Sequence, residues 1–261
     1  MKKAIGFIKR YFYAGASCLY LFTIGLFSTR NRILIASICQ HFGYSKSVRA
    51  RVPEVELSEV LSDSAPIQLH MLSHVDGNVT LLELMVITNL IRQYKPKMLF
   101  EIGTFDGRTT LNMAANCSSG SRVYTLDLPK ADLSSTGLTL DSGDAAYIDK
   151  EMSGARYLGT EYEGKITQLY GDSAKFDFSQ WYGSIDFIFI DGSHAYDYVL
   201  NDTKEAFKLL NNKSQKVILW HDYDGAWAGV TKALNELYFT DRKFADLRHV
   251  KGTTLAYLKV N

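Results

Sequence analysis

Two stretches of this 261-residue chain carry side chains that could do chemistry together. One is Ile188-Phe189-Ile190-Asp191-Gly192-Ser193-His194-Ala195-Tyr196. The other is Trp220-His221-Asp222-Tyr223. Each includes the end of an apolar run of the length and kind expected of a fully buried strand. If the two strands are neighbours, Asp191, His221 and Asp222 converge within metal-ligand reach. Oxygen donors with one imidazole suit a hard or borderline divalent ion. Such an ion would anchor a substrate hydroxyl and lower its pKa. Without one, His194 or His221 would take the proton. Asp191, His194 and His221 are thus the candidate catalytic residues, and Asp191, His221 and Asp222 the candidate metal ligands.

A second constellation lies upstream, in Glu101-Ile102-Gly103-Thr104-Phe105-Asp106-Gly107. Gly103 permits a sharp turn and close approach of a ligand to bare backbone. Gly107 lets the next helix pack closely. Asp127 follows 24 residues after Gly103, at the end of the next apolar run, where a carboxylate can accept both hydroxyl protons of a ribose. A dinucleotide fingerprint needs a glycine where Phe105 stands, because a phenyl group obstructs a pyrophosphate. The pattern fits a nucleoside without phosphates; an ordinary glycine turn is the plainer alternative. In Gly171-Asp172-Ser173, either Asp172 or Ser173 is a candidate helix N-cap.

The elements that must position these groups alternate. Apolar strands are expected at 97–103, 122–128, 165–172, 185–192 and 216–222, with a final pair at 242–249 and 253–260. Helical periodicity covers 79–94, ended by Pro96, and then 107–117, 195–210 and 226–238. Residues 129–163 are polar and glycine-rich and read as an insertion. This alternation implies an α/β fold with a doubly wound, mostly parallel sheet and ligands at the carboxyl ends of its strands. All the motifs above sit at such ends.

The set Glu101-x-Gly103-x-x-x-Gly107 with Asp127 resembles the class I S-adenosylmethionine-dependent methyltransferases. The resemblance implies a Rossmann-like, seven-stranded sheet whose last strand is antiparallel, and S-adenosylmethionine as cofactor. It places Gly103 at the methionine part, Glu101 near the amino group, Asp127 on the ribose and Asp172 by the adenine. Thr104, Phe105 and Asp191 complete the implied cofactor-binding set. The stretch DGSHAY…D…WHDYD is similar to the macrocin-type and novobiocin-type sugar O-methyltransferases (methyltransferase family 24). It implies Mg2+ on Asp191, His221 and Asp222. His221 departs from the acidic pair of those enzymes. The resemblance covers residues 74–260.

It does not cover the N-terminus. Residues 1–52 hold nine Lys or Arg and no Asp or Glu, while the rest of the chain carries a net charge of −8. A basic arm on an acidic body gives three segments: the arm at 1–52, a connector with a leading helix at 53–96, and the cofactor-binding domain at 97–261. An acidic body argues against a broad nucleic-acid face. In the arm, Lys2, Lys3, Lys9 and Arg10 precede 19 uncharged residues from Tyr11 to Thr29, closed by Arg30 and Arg32. That length is borderline for a membrane span. A helix lying in the headgroup plane of anionic lipid, through residues 1–40, suits cations at both ends. A buried packing helix or a homodimer contact is the bland alternative. A signal peptide is the weaker reading, since no convincing cleavage site precedes Arg30.

Three scattered cysteines make no scaffold or zinc site and suit a reducing, cytoplasmic setting, with the arm placing the chain at the cytoplasmic face of a membrane. Asp202 is expected to be a solvated helix residue, Trp220 core and Trp227 pocket wall. His70, His74 and His249 have no evident partner, and the turn Asp76-Gly77-Asn78 is placed over the cofactor. The reading that uses most of these residues is O-methyl transfer to a sugar or glycoconjugate hydroxyl. A metal-dependent phosphohydrolase built on His221-Asp222 competes with it, as does a membrane-tethered binding module. The phosphohydrolase gives Glu101, Gly103 and Asp127 no role. The binding module requires Phe105 or the insertion to fill the cofactor space.

Overall fold

The computed structural model describes residues 2–41, 48–61, 66–73, 75–212 and 215–260; His74 and part of the connector at 42–66 lie outside them. Two compact units divide the chain, Met1–Ser47 and Val48–Asn261.

In the first unit, α1 spans Lys2–Leu21 and α2 spans Thr29–His41, with a short 3-10 turn at Ile24–Phe27 between them. The Thr23 hydroxyl donates to the Leu19 carbonyl at 2.6 Å, where α1 ends. The uncharged run from Tyr11 to Thr29 is therefore not one helix. Among the described residues no helix is long and apolar enough to cross a membrane.

In the second unit the elements run β1 (Glu54–Val55), α3 (Leu57–Val60), α4 (Leu81–Tyr94), β2 (Met98–Ile102), α5 (Arg108–Asn116), β3 (Arg122–Asp127), α6 (Ala145–Ile148), β4 (Ile166–Tyr170), β5 (Phe187–Ile190), α7 (Tyr196–Leu209), β6 (Lys216–Trp220), α8 (Ala228–Thr240), β7 (Arg248–Val250) and β8 (Ala256–Val260). The sheet has eight strands in the order β1-β7-β8-β6-β5-β2-β3-β4. Seven were expected. The eighth is β1, a two-residue piece of the connector that pairs parallel to β7 and is too short to show any periodicity. β8 runs antiparallel to β6 and β7, as expected of the last strand. Of the expected 242–249 strand only residues 248–249 pair with neighbours, as part of β7; Arg242–Phe244 is a 3-10 turn.

Side chains alternate across the sheet. Phe100, Ile102, Ile188, Ile190, Ile218 and Trp220 pack into one hydrophobic core. Leu99, Phe187, Phe189, Val217 and Leu219 pack into a second. Strands covered on both faces must be apolar throughout, which is why β5 and β6 are fully buried. α4 begins with a capping box: Thr80 accepts from the Glu83 amide, and the Glu83 carboxylate accepts from the Thr80 amide.

Candidate active site

β2 and β5 are neighbours, but the chain leaves β2 toward β3 and leaves β5 toward β6. Loops depart in opposite directions there, so a crevice opens at the strand ends. Gly103 closes its floor. Its φ is +98°, and a Cβ would lie 1.9 Å from the Asp191 carbonyl oxygen, so no larger residue lets the two strand ends meet.

Glu101 is fully buried at the end of β2. Its Oε2 accepts from the Thr125 hydroxyl at 2.6 Å and from the Thr110 hydroxyl. Its Oε1 has no partner among the described residues. Burial, reinforced by the charges of Asp191 and Asp127, pushes its pKa up to about 8 against the hydroxyl hydrogen bonds. A carboxyl with an orphaned oxygen suits a cationic amine.

The nucleoside side is held differently. Asp127 Oδ1 accepts from the amides of Thr104 at 3.1 Å and Phe105 at 3.3 Å. Its other oxygen meets Lys150 Nζ at 2.7 Å and the Ser153 hydroxyl. Asp172 Oδ2 accepts from the Gly137 amide at 2.5 Å, and its Oδ1 from Ala174 N and Tyr198 OH. Lys150, Ser153 and Gly137 all belong to the insertion. Asp172 caps a turn rather than a helix, since residues 173–175 form no helix. The Thr104 hydroxyl is engaged inward, 2.6 Å from Thr125 Oγ1 and accepting from Gln168. The Phe105 carbonyl accepts from the Gly154 amide at 3.0 Å, and its ring meets Tyr147 edge-on. Gly107 is the left-handed N-cap of α5. Gly77 packs on Tyr147 and Phe105, and Asn78 donates to Asp106 at 2.9 Å, so that turn lies against the glycine loop and the insertion.

Across the crevice, the predicted trio is assembled. His221 Nδ1 lies 3.0 Å from Asp191 Oδ1 and 3.1 Å from Asp222 Oδ2. Ligand atoms of Asp191, His221 and Asp222 all lie within 4.8 Å of one another. Asp222 takes a left-handed φ of 62°, an uncommon backbone for a non-glycine residue and one that is concentrated at functional sites. His194 spans two carboxylates, with Nδ1 2.5 Å from Asp144 Oδ1 and Nε2 2.9 Å from Asp222 Oδ2. Trp227 stacks on His194 at 3.8 Å, as a pocket wall would.

Burial works to lower the pKa of His194, but the hydrogen bonds its ring donates to Asp144 and Asp222 lift it to about 9. Burial likewise opposes the charged form of His221, and the charges of Asp191 and Asp222 override it, raising its pKa well above the usual value. Burial raises and the two imidazoles lower Asp222, with a net shift downward. Where no cation binds, the surrounding carboxylates thus favour the protonated form of both imidazoles. The acidic neighbours are the cause.

Two residues of the site were not anticipated. Glu83 Oε2 lies 3.3 Å from His221 Nε2, and its Oε1 accepts from Thr254 N and Oγ1 at 2.7 and 2.8 Å. The Thr80-x-x-Glu83 box was readable, but its contact with His221 is tertiary. Asp144 also accepts from the Ser193 hydroxyl at 2.6 Å; nothing in its polar surroundings marks it. Asp202 corrects another expectation. It is buried, its Oδ2 has no partner among the described residues, and burial pushes its pKa up to about 7. Trp220 is core, as expected, donating to the Thr203 hydroxyl. His249 has a partner after all, the Thr253 carbonyl at 2.7 Å. His70 meets Tyr162 edge-on.

Comparison with known proteins gives this arrangement a context. The methyltransferase-domain family matches residues 100–223. No curated protein is a detectable match. The methyltransferase PaMTH1 of Podospora anserina, solved with S-adenosylhomocysteine, is 15% identical; the match covers 70% of this chain and 79% of that one, with a TM-score of 0.50. An O-methyltransferase of Bacillus cereus, also with S-adenosylhomocysteine, is 17% identical over 71% of this chain and 82% of that one, with a TM-score of 0.49. At such identities the likeness concerns the fold. The family match favours methyl transfer over the phosphohydrolase. Residues 100–223, which hold the glycine loop and both strand-end motifs, match a methyltransferase domain, and the chain is read on that ground as an S-adenosylmethionine-dependent methyltransferase.

Proposed function

We propose that the methyl acceptor is a hydroxyl of a sugar or glycoconjugate. The observation that carries O-methylation is the convergence of Asp191, His194, His221 and Asp222 at one strand-end crevice, beside Gly103 and Glu101. The sugar rests on the resemblance of DGSHAY and WHDYD to sugar O-methyltransferases.

In the reaction the S–CH3 bond breaks, an O–CH3 bond forms, and the hydroxyl proton leaves. Sulfonium is already an activated leaving group, so positioning supplies much of the rate. Glu101 would face the methionine amino group, and Asp127 the ribose. For the ribose to bind Asp127, Lys150 and Ser153 must give up that carboxylate; adenine at Asp172 displaces the Gly137 amide in the same way.

The donor set fits a divalent ion. One ring nitrogen of His221 faces two carboxylate oxygens, more than a single N–H can serve well, and Glu83 orients the ring from its other nitrogen, as outer carboxylates do for metal-bound histidines. Asp191, His221 and Asp222 would hold the ion, which would supply a lowered pKa for the acceptor hydroxyl. His194, fixed between Asp144 and Asp222, borders the acceptor position, and Trp227 walls it from water.

The test is a screen of sugar and glycoconjugate acceptors with methyl-labelled cofactor, with Mg2+ and with chelator. Label on a sugar oxygen, lost with chelator, is expected. Label on nitrogen or carbon acceptors alone overturns the O-methyl reading, and undiminished activity in chelator overturns the metal.

A further inference from the structure

The N-terminal unit presents a surface that the catalytic chemistry does not use. Along α1 the residues Phe7, Ile8, Tyr11, Phe12 and Leu19 are spaced by four or their multiples, or by one across adjacent turns, so they form a single stripe on the helix. All five are exposed, Phe12 at 76%. Lys9 and Arg10 fall on the opposite side by the same 100° count per residue. The stripe continues past the helix end in Ile24 and Phe27, the latter 90% exposed. Contiguous aromatic and aliphatic surface of this kind marks an interaction site rather than a resting surface in water.

The charge selects the partner. No acidic residue occurs before Glu54, and nine cations do. A second copy of the arm would bring cation against cation, whereas anionic headgroups complement it. Arg30 and Arg32, at the start of α2, place cations beyond the apolar stripe as Lys9 and Arg10 place them within α1. The break at residues 22–28 prevents one helix from crossing, but suits two short helices lying in the plane of a surface. We propose that residues 2–32 dock on an anionic lipid bilayer, with the Phe7–Leu19 stripe in the acyl boundary and the cations at the headgroups.

The test uses the full chain and sedimentation with vesicles of phosphatidylglycerol and phosphatidylcholine in equal parts, against phosphatidylcholine alone. Partition onto the anionic vesicles should be at least about tenfold stronger and should fall as salt rises. Phe12→Asp should weaken it by about tenfold, the expected consequence of losing one buried phenyl group. Lys9→Gln with Arg10→Gln should weaken it by a similar factor. S-adenosylhomocysteine affinity, measured in parallel, should be unchanged in these variants and reports that the catalytic unit is folded. Equal partition onto both vesicles, or none onto either, overturns the proposal. A lipid-independent dimer that Phe12→Asp dissolves also overturns it, in favour of a second copy.

Discussion

The ends of β5 and β6 and the 129–163 insertion meet at the same crevice, yet different forces hold them there. Asp191, His221 and Asp222 follow strands packed on both faces, and the sheet sets where they point. The insertion contains one turn of α-helix, a 3-10 stretch at Lys130–Ser135 and no strand. It is held by polar contacts to the site itself: Lys150 and Ser153 on Asp127, Gly137 on Asp172, and Asp144 on His194. The first region presents groups whatever is bound. The second occupies groups that a nucleoside would need. On the proposed function, chemistry falls to the sheet, the rigid half, and cofactor exchange to the insertion, the exchangeable half.

The largest expected effect tests the rigid half. Asp222 joins both imidazoles, so Asp222→Ala should lower turnover of an acceptor by about a hundredfold or more. S-adenosylhomocysteine affinity by calorimetry should stay within about threefold, because the side-chain bonds of Asp222 go to His194 and His221. Normal turnover in this variant removes the site from the chemistry, and a collapse of cofactor affinity merges the two halves.

That contrast also explains what the sequence made readable. Gly103, Asp127, Asp191, His221 and Asp222 were legible because buried strands announce themselves as apolar runs, and the sheet order then brings their ends together. Glu83 and Asp144 were not. Glu83 shows only its local role, the capping box, while its contacts with His221 and Thr254 span 138 and 171 residues. Asp144 depends on the path of an insertion with no period to read. Asp202 misled because a carboxylate in a helix is usually solvated, and here α7 buries it behind Gly192. The raised His194 pKa depends in part on Asp144, so spacing alone did not show it, whereas that of His221 follows from Asp191 and Asp222.

The exchangeable half is tested by Lys150→Ala. If Lys150 only stands in for a ribose on Asp127, its removal leaves that carboxylate short of a partner until the cofactor arrives. S-adenosylhomocysteine should then bind up to about tenfold more tightly, the scale of one charged hydrogen bond. Asp127→Ala should weaken binding by about 1–3 kcal/mol. Weaker binding in Lys150→Ala would show that the lysine belongs to the bound site, and the exchange picture fails.

The smallest effect concerns Glu101, a carboxyl held by hydroxyls of β3 and α5. Its ordinary pKa is 4.5, and the fold lifts it to about 8. The unfolded chain releases this proton first, so the contribution to stability is complete below about pH 4.5 and is lost as pH rises toward 8. One proton corresponds to a slope of at most about 1.4 kcal/mol per pH unit across that window. His194 adds a loss of the same sign between its ordinary 6.5 and about 9, and Asp202 one between its ordinary 3.8 and about 7, so the Glu101 share is the difference between the unaltered chain and Glu101→Gln below pH 6.5. Calorimetric melting between pH 5 and 6.5 should show declining stability in the ligand-free protein, and Glu101→Gln should flatten the decline. S-adenosylhomocysteine should flatten it too, because an amine beside the orphaned Oε1 ionises the carboxyl within the fold. Lys150→Ala should not change it. An unchanged slope in Glu101→Gln would mean that the carboxyl is already ionised, and the site would then need a cation there even before cofactor binds.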